Sequence, residues 1–190
     1  SGVAAPATSR GYESLFVAEG LTAYAAAAAD AEALDIAIES LIRVFDLLRD
    51  PARDVNEGYV PRCYPGMRVL GGHMVLILTL TQMLEQRSGD AKLQALAQEV
   101  VDGITVNFWN DKYQLMNEAL ACDLTRPDDV NEDFCYLGHA IETMWMTMVE
   151  GLRRGDRALF DLCAGRFRRH VEVAWDDVHG GLFRALQVTT

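Results

Sequence analysis

Several signals of specialised chain types are missing here. The four cysteines, Cys63, Cys122, Cys135 and Cys163, lie 59, 13 and 28 residues apart, with no C-x-x-C pair and no histidine at zinc-finger spacing. A disulfide-stapled mini-protein is therefore excluded. The thiols read as free and buried in a reducing compartment, which makes the cytoplasm the expected location; a catalytic or metal-binding thiol is the alternative. No apolar run approaches the roughly 20 residues that span a bilayer. Residues 1–6 lack the charged and then apolar pattern of a signal peptide, and the absence of an initiator Met suggests a chain cut or recombined at its front. Basic residues are few: 17 Lys and Arg against 28 acidic residues give a net charge of -11 and a pI of about 4.7. Such a surface repels phosphate backbones and anionic lipids, so nucleic acid and membranes are poor partners, whereas small neutral or cationic ligands remain open. There is no P-loop, no G-x-G-x-x-G after a strand and no G-x-S-x-G. Nucleotide hydrolysis, Rossmann redox chemistry and α/β-hydrolase chemistry thus lack support.

What is present is a 190-residue chain, 50% hydrophobic and 24% charged, enough for one domain with a real core. Helical periodicity dominates it. Leu15, Phe16, Leu21 and Tyr24 start one stripe, and Leu34, Leu41, Phe45 and Leu48 mark a second. Residues 74–84 are apolar nearly all round, as in a helix buried on most sides. Leu93, Val100 and Ile104, then Ile141, Met144 and Met148, then residues 159–173 complete six helices. Strand signals are confined to short pieces at 113–116 and 181–185.

The helices form a repeat. Asp30, Asp90 and Asp156, 60 and 66 residues apart, each follow a helix stop and precede a new helix as an N-cap. An apolar helix precedes each aspartate and an amphipathic one follows it. The unit is an inner–outer hairpin, and stacked hairpins build a solenoid or a closed α/α toroid. The hairpins fall at about 11–49, 73–109 and 138–175, followed by a Gly-Gly turn and tail, in one domain over 1–190. The inner-to-outer turns are short and the returns long, so the returns crowd one face, where a site is expected.

His73 and His139 both stand 17 residues before a repeat aspartate, each after a glycine. They are expected at equivalent N-terminal positions of neighbouring inner helices, where the helix dipole favours a neutral imidazole. In the first unit the same offset falls on Glu13, beside Tyr12. Glu142 lies on the face of His139, one turn on. The alternatives are that both rings cap or fill space, or that His-x-x-Glu offers two metal ligands, though no third stands at helical spacing. Glu118, in the second long return, reads as a mouth residue or a solvated acid. Trp145 reads as core or as a sugar-stacking ring, and Trp109 and Trp175 as packing residues. Arg166, Arg168, Arg169 and His170 read as a solvated basic face.

Tyr136-Leu137-Gly138-His139-Ala140-Ile141-Glu142-Thr143-Met144-Trp145 resembles the Pro-Gly-His-x-(Ile/Leu)-Glu-x-x-Trp signature of the N-acylglucosamine 2-epimerase family. Trp175-Asp176 through Gly180-Gly181-Leu182-Phe183 is similar to that family's Trp-Asp-x-x-x-Gly-Gly-Leu-Phe segment, and Gly11 to Phe16 to its Tyr-x-x-x-Phe helix start. The resemblance implies an all-α (α/α)6 barrel, of which this chain holds about three of six hairpins. It implies a sugar 2-epimerase or aldose–ketose isomerase that removes the C2 proton of an open-chain sugar and passes through a cis-enediolate. By the same resemblance His139 is the acid/base and Glu142 its supporting partner, with His73, Glu118 and Trp145 as substrate-binding candidates and no cofactor or metal. A second acid/base histidine is expected beyond Thr190 and a substrate-binding arginine before Ser1. The expected partners are a small sugar and a second copy or complementing chain. The alternatives are a catalytically incomplete half-barrel that binds sugar or assembles, and an (α/α)6 glycosidase using Glu118 and Glu142.

Overall fold

Three aspartates set where the second helix of each pair begins. In the computed structural model, which describes residues 11–189, Asp30 accepts from the Ala33 amide at 3.0 Å. Asp90 accepts from Lys92 and Leu93 at 2.9 and 3.0 Å, and Asp156 from Leu159 at 2.9 Å. Each satisfies amides that a helix start leaves unpaired. Two of the preceding stops are left-handed residues, Ala29 at φ 53° and Gly155 at φ 68°. The middle stop is longer: its helix ends at Gln86, and Arg87, Ser88 and Gly89 lead to Asp90 with no left-handed residue. Residues 1–6, read above for targeting signals, lie outside the described residues.

The helices are α1 (Gly11–Ala28), α2 (Ala31–Arg49), α3 (Leu70–Gln86), α4 (Ala91–Asp102), α5 (Leu137–Arg154) and α6 (Arg157–Ala174). α1, α3 and α5 form an inner layer, with α3 between the other two, and α2, α4 and α6 back them. Leu76, Ile77, Leu80, Met83 and Leu84 of α3 are exposed by 1% or less. Each such side chain contributes about 1.5–3 kcal/mol over an exposed one. α4 runs into a π-helical turn, Gly103–Asn107, closed by the Phe108 amide on the Gly103 carbonyl at 2.9 Å. No described helix is long and apolar enough to cross a membrane.

Between the hairpins the chain pairs in two-residue strands: β1 (Arg68–Val69) with β4 (Ala119–Leu120), β2 (Trp109–Asn110) with β3 (Leu115–Met116), and β5 (Phe134–Cys135) with β6 (Leu186–Gln187), all antiparallel. Of the two β pieces expected, one coincides with β3. The other reduces to a bridge between Trp175 and Leu182, with β6 just beyond it. The remaining strands are too short for alternation to register. The basic face expected on α6 is also corrected. His170 is fully buried, its Nε2 accepts from the Met116 amide at 2.9 Å, and the Arg166 guanidinium lies 4.0 Å over the Trp109 ring. Only Arg168 and Arg169 are solvated.

At the ends of α3 and α5 away from the histidines, one buried carboxylate ties the layer together. Glu150 accepts from Thr81 Oγ1 at 2.8 Å, from Arg153 Nε and Nη2 at 2.7 Å, and from Arg154. The arginines hold its carboxyl below the usual range despite a burial that acts the other way. Loss of this group takes the shared acceptor from both arginines and removes the contact to α3, leaving Thr81 to the Ile77 carbonyl at 2.7 Å. Glu150→Ala is expected to cost about 3 kcal/mol, against about 1 kcal/mol for the cap variant Asp156→Ala, read by denaturant unfolding. Equal losses would mean that Glu150 does not join the helices.

Candidate active site

The strand pairs carry Glu118 inward. Its carbonyl accepts from the Leu70 amide at 2.8 Å and its amide donates to the Phe134 carbonyl at 3.0 Å, so it is pinned between the starts of α3 and α5. Asn117 beside it is buried with its amide fully used. Nδ2 donates to the Asn131 and Glu132 carbonyls, and Oδ1 accepts from Asn110 and Arg126. Glu118 has no exposed surface. Its Oε1 accepts from His139 Nδ1 at 2.9 Å, the Tyr59 hydroxyl at 3.1 Å and the Gly71 amide at 3.4 Å, while the buried Oε2 has no partner among the described residues.

His139 is the third residue of α5, with 15% of its side chain exposed. Tyr59 meets it edge-on at 5.3 Å and Tyr136 packs at 4.4 Å. With Nδ1–H donated to Glu118, Nε2 is the free ring nitrogen. Burial alone lowers the imidazole pKa, but the hydrogen bond and charge of Glu118, helped by the charges of Glu142 and Glu57, hold it above the usual 6.5. Burial raises the Glu118 carboxyl, a shift that its donors only partly offset. The pair is thus an imidazole with a carboxylate behind it, aimed by a dry pocket.

The other expected site residues are arranged differently. Glu142 is exposed and makes no hydrogen bond to His139, so the partner of Nδ1 is Glu118. Glu118 lies beneath the imidazole and is not at the mouth. Trp145, 38% exposed, shares an exposed face of α5 with Glu142 and is not core. His73 does not join His139. Its Nδ1 donates to the Val69 carbonyl at 3.3 Å, its ring meets Phe108 at 4.7 Å, and burial lowers its pKa to about 4.

Three contributors escape a reading of the sequence. Tyr59 sits in a loop without pattern, and Tyr136 is visible only as a motif residue. The tail holds Tyr136 in place, since Arg184 donates to its hydroxyl and lies 5.2 Å over its ring. Gly71 is the third: a Cβ there would stand 2.9 Å from His139 Cε1 and 3.1 Å from Nδ1. The Gly71-Gly72 pair was its only trace. Gly71→Ala is expected to push the ring off Glu118 and lower the His139 pKa toward or below 6.5 in an NMR titration. An unchanged titration would show that the contact is not needed.

Half a ring of inner–outer hairpins with an imidazole at an inner-helix start defines the class: an (α/α)6-barrel protein with about three of its six hairpins in this chain. Solved structures agree. They include a sugar epimerase from a ruminal bacterium (TM-score 0.72, 16% identity, 95% of this chain and 48% of that one). Cellobiose 2-epimerase from Bacillus thermoamylovorans matches at TM-score 0.72 and 14% identity, over 95% and 49% of the two chains. D-mannose isomerase matches at 0.60 and 13%, over 85% and 40%. The chain spans about half the length of these structures. No curated protein sequence matches it. The profile of the N-acylglucosamine 2-epimerase (GlcNAc 2-epimerase) family matches residues 1–189, and the chain belongs to that family.

Proposed function

We propose that this site moves a proton at C2 of an open-chain sugar, as part of a sugar 2-epimerase or aldose–ketose isomerase. The observation that carries the reading is the buried Glu118–His139 pair, with one ring nitrogen committed and the other free. His139 Nε2 takes the C2 proton and the electron pair of the C–H bond moves into a cis-enediolate. Glu118 keeps Nδ1–H in place and stabilises the imidazolium that forms. Return of the proton to C1 on the same face, with the O2 hydroxyl proton passing to O1, gives the isomer and needs no second group to protonate carbon. Return to C2 on the opposite face gives the epimer and needs a second acid, a role that none of the described histidines fills beside His139. Glu142 and Trp145, exposed on the same helix, are the substrate-facing candidates.

The glycosidase alternative needs two carboxylates open to substrate, and Glu118 is closed off and committed to three donors. The binding-module alternative shares the pocket, but under it the pairing of Nδ1 has no task. Four free thiols support a cytoplasmic location. Large apolar side chains stand exposed on α1 (Phe16, Val17) and α5 (Trp145, Leu152). Of these, Phe16, Val17 and Leu152 support assembly with further hairpins from a second copy or another chain. Light scattering is then expected to give a mass above the 21.0 kDa of one chain; a stable monomer would count against it.

Exchange of the sugar C2 hydrogen with deuterated solvent tests the chemistry. His139→Ala in the active assembly is expected to slow exchange by about 10²–10⁴-fold. The rate should rise as pH climbs through a value above 6.5, because only the neutral imidazole is a base. Glu118→Gln removes the charge that raises this pKa, so the limb should move to lower pH as the rate falls. Exchange indifferent to His139 would end the proposal, and sugar binding without exchange in the intact protein would favour the binding module.

A further inference from the structure

One layer behind the imidazole lies a second group of charges, of which only Glu57 bears on the His139 ring. A cavity of about 40 Å³ opens between the end of α2, the first return and the start of α3, walled among others by Arg53, Glu57, Tyr59, Arg68 and His73. About 10–15 Å³ of such space holds one water, so the cavity admits an occupant of one or a few atoms. Among the described residues neither Arg53 nor Arg68 has a carboxylate at ion-pair distance. Arg53 spends Nη2 on the Met67 carbonyl at 3.0 Å, and its buried Nε has no partner among the described residues. Arg68 spends Nε on the Cys122 carbonyl at 3.3 Å. Arg49, beyond Arg68, is tied to Glu99.

The charges on the wall select the ligand. Burial disfavours the charge on Arg68, and repulsion from Arg49 and Arg53 adds to it. His73 stays neutral, since burial holds its pKa near 4. On the wall itself two guanidiniums then face one carboxylate, Glu57, and leave one positive charge in excess there, with Asp50 acting on Arg53 and Glu99 on Arg68 from outside it. Half-buried cations without an ion-pair partner are costly, the more so once their remaining donors are idle. A monovalent anion restores neutrality, while a divalent one overshoots it and exceeds the space. We propose that this cavity binds one small monovalent anion of the halide class, chloride being the common one, between Arg53 and Arg68. Glu57 repels the ion and so keeps its affinity modest.

The test is thermal unfolding of the full chain in sodium chloride or bromide against sodium methanesulfonate at equal ionic strength, methanesulfonate being too bulky for the cavity. The apparent Tm is expected to be about 2–4 °C higher in the halides. The difference should vanish in Arg68→Met and grow in Glu57→Gln, which removes the repelling charge. Crystals soaked in bromide should show an anomalous peak beside Arg53 Nε. Identical melting in halide and methanesulfonate for both the parent and Glu57→Gln proteins overturns the proposal. So does a halide effect that survives Arg68→Met, or bromide bound only elsewhere.

Discussion

A carboxylate with no exposed surface has to be answered by donors, and Glu118 is answered from three separate stretches of chain. Tyr59 comes from the first return, Gly71 from the start of α3 and His139 from the start of α5. None of these donors can move far without leaving the charge dry and unpaired, which costs several kcal/mol. The bond between Glu118 and His139 therefore fixes how α3, α5 and the loops between them meet.

The two-residue strands follow from that need. β1 and β4 bring the first and second returns together beside Glu118, and the Phe134 carbonyl just before α5 holds its amide. Asn117 and His170 then satisfy the surrounding backbone. His170, kept neutral by burial that lowers its pKa to about 4, accepts the Met116 amide. The returns are long because they must supply this backing as well as connect helices. A short return would leave Glu118 open to water and the imidazole without a fixed tautomer.

How much of this was legible depends on the range of each interaction. The helices and their aspartate caps are local, so periodicity and the residue at each cap reveal them. The likeness around Gly138, His139 and Glu142 revealed the family and pointed to His139, whose ring the structure places on Glu118. The choice of its partner failed, because a neighbour one helical turn away is visible in sequence and a carboxylate from a distant loop is not. The pairing of His73 with His139 failed for a geometric reason. Equal distance from the aspartates means equal placement only if the turns match, and they do not: three residues separate α3 from Asp90, and one separates α5 from Asp156. Counted from the helix ends, the two histidines stand two residues apart, about 200° around the axis. One ring therefore packs on Gly71 and the other on Phe108.

This difference bears on how the proposed chemistry is divided. The groups that fix the tautomer of the proposed base and raise its pKa, Glu118 first among them, lie within these three hairpins and their returns. Even the wall at Tyr136 is braced from the tail by Arg184. The opposite face of a sugar carbon is another matter, because His73, the one other histidine near the starts of the inner helices, is turned into the wall. Under the proposed reading, the proton-abstracting half of the site is complete in itself. On the same reading, what decides between isomer and epimer reaches the sugar from across the ring, from the hairpins proposed to pack on the apolar faces of α1 and α5.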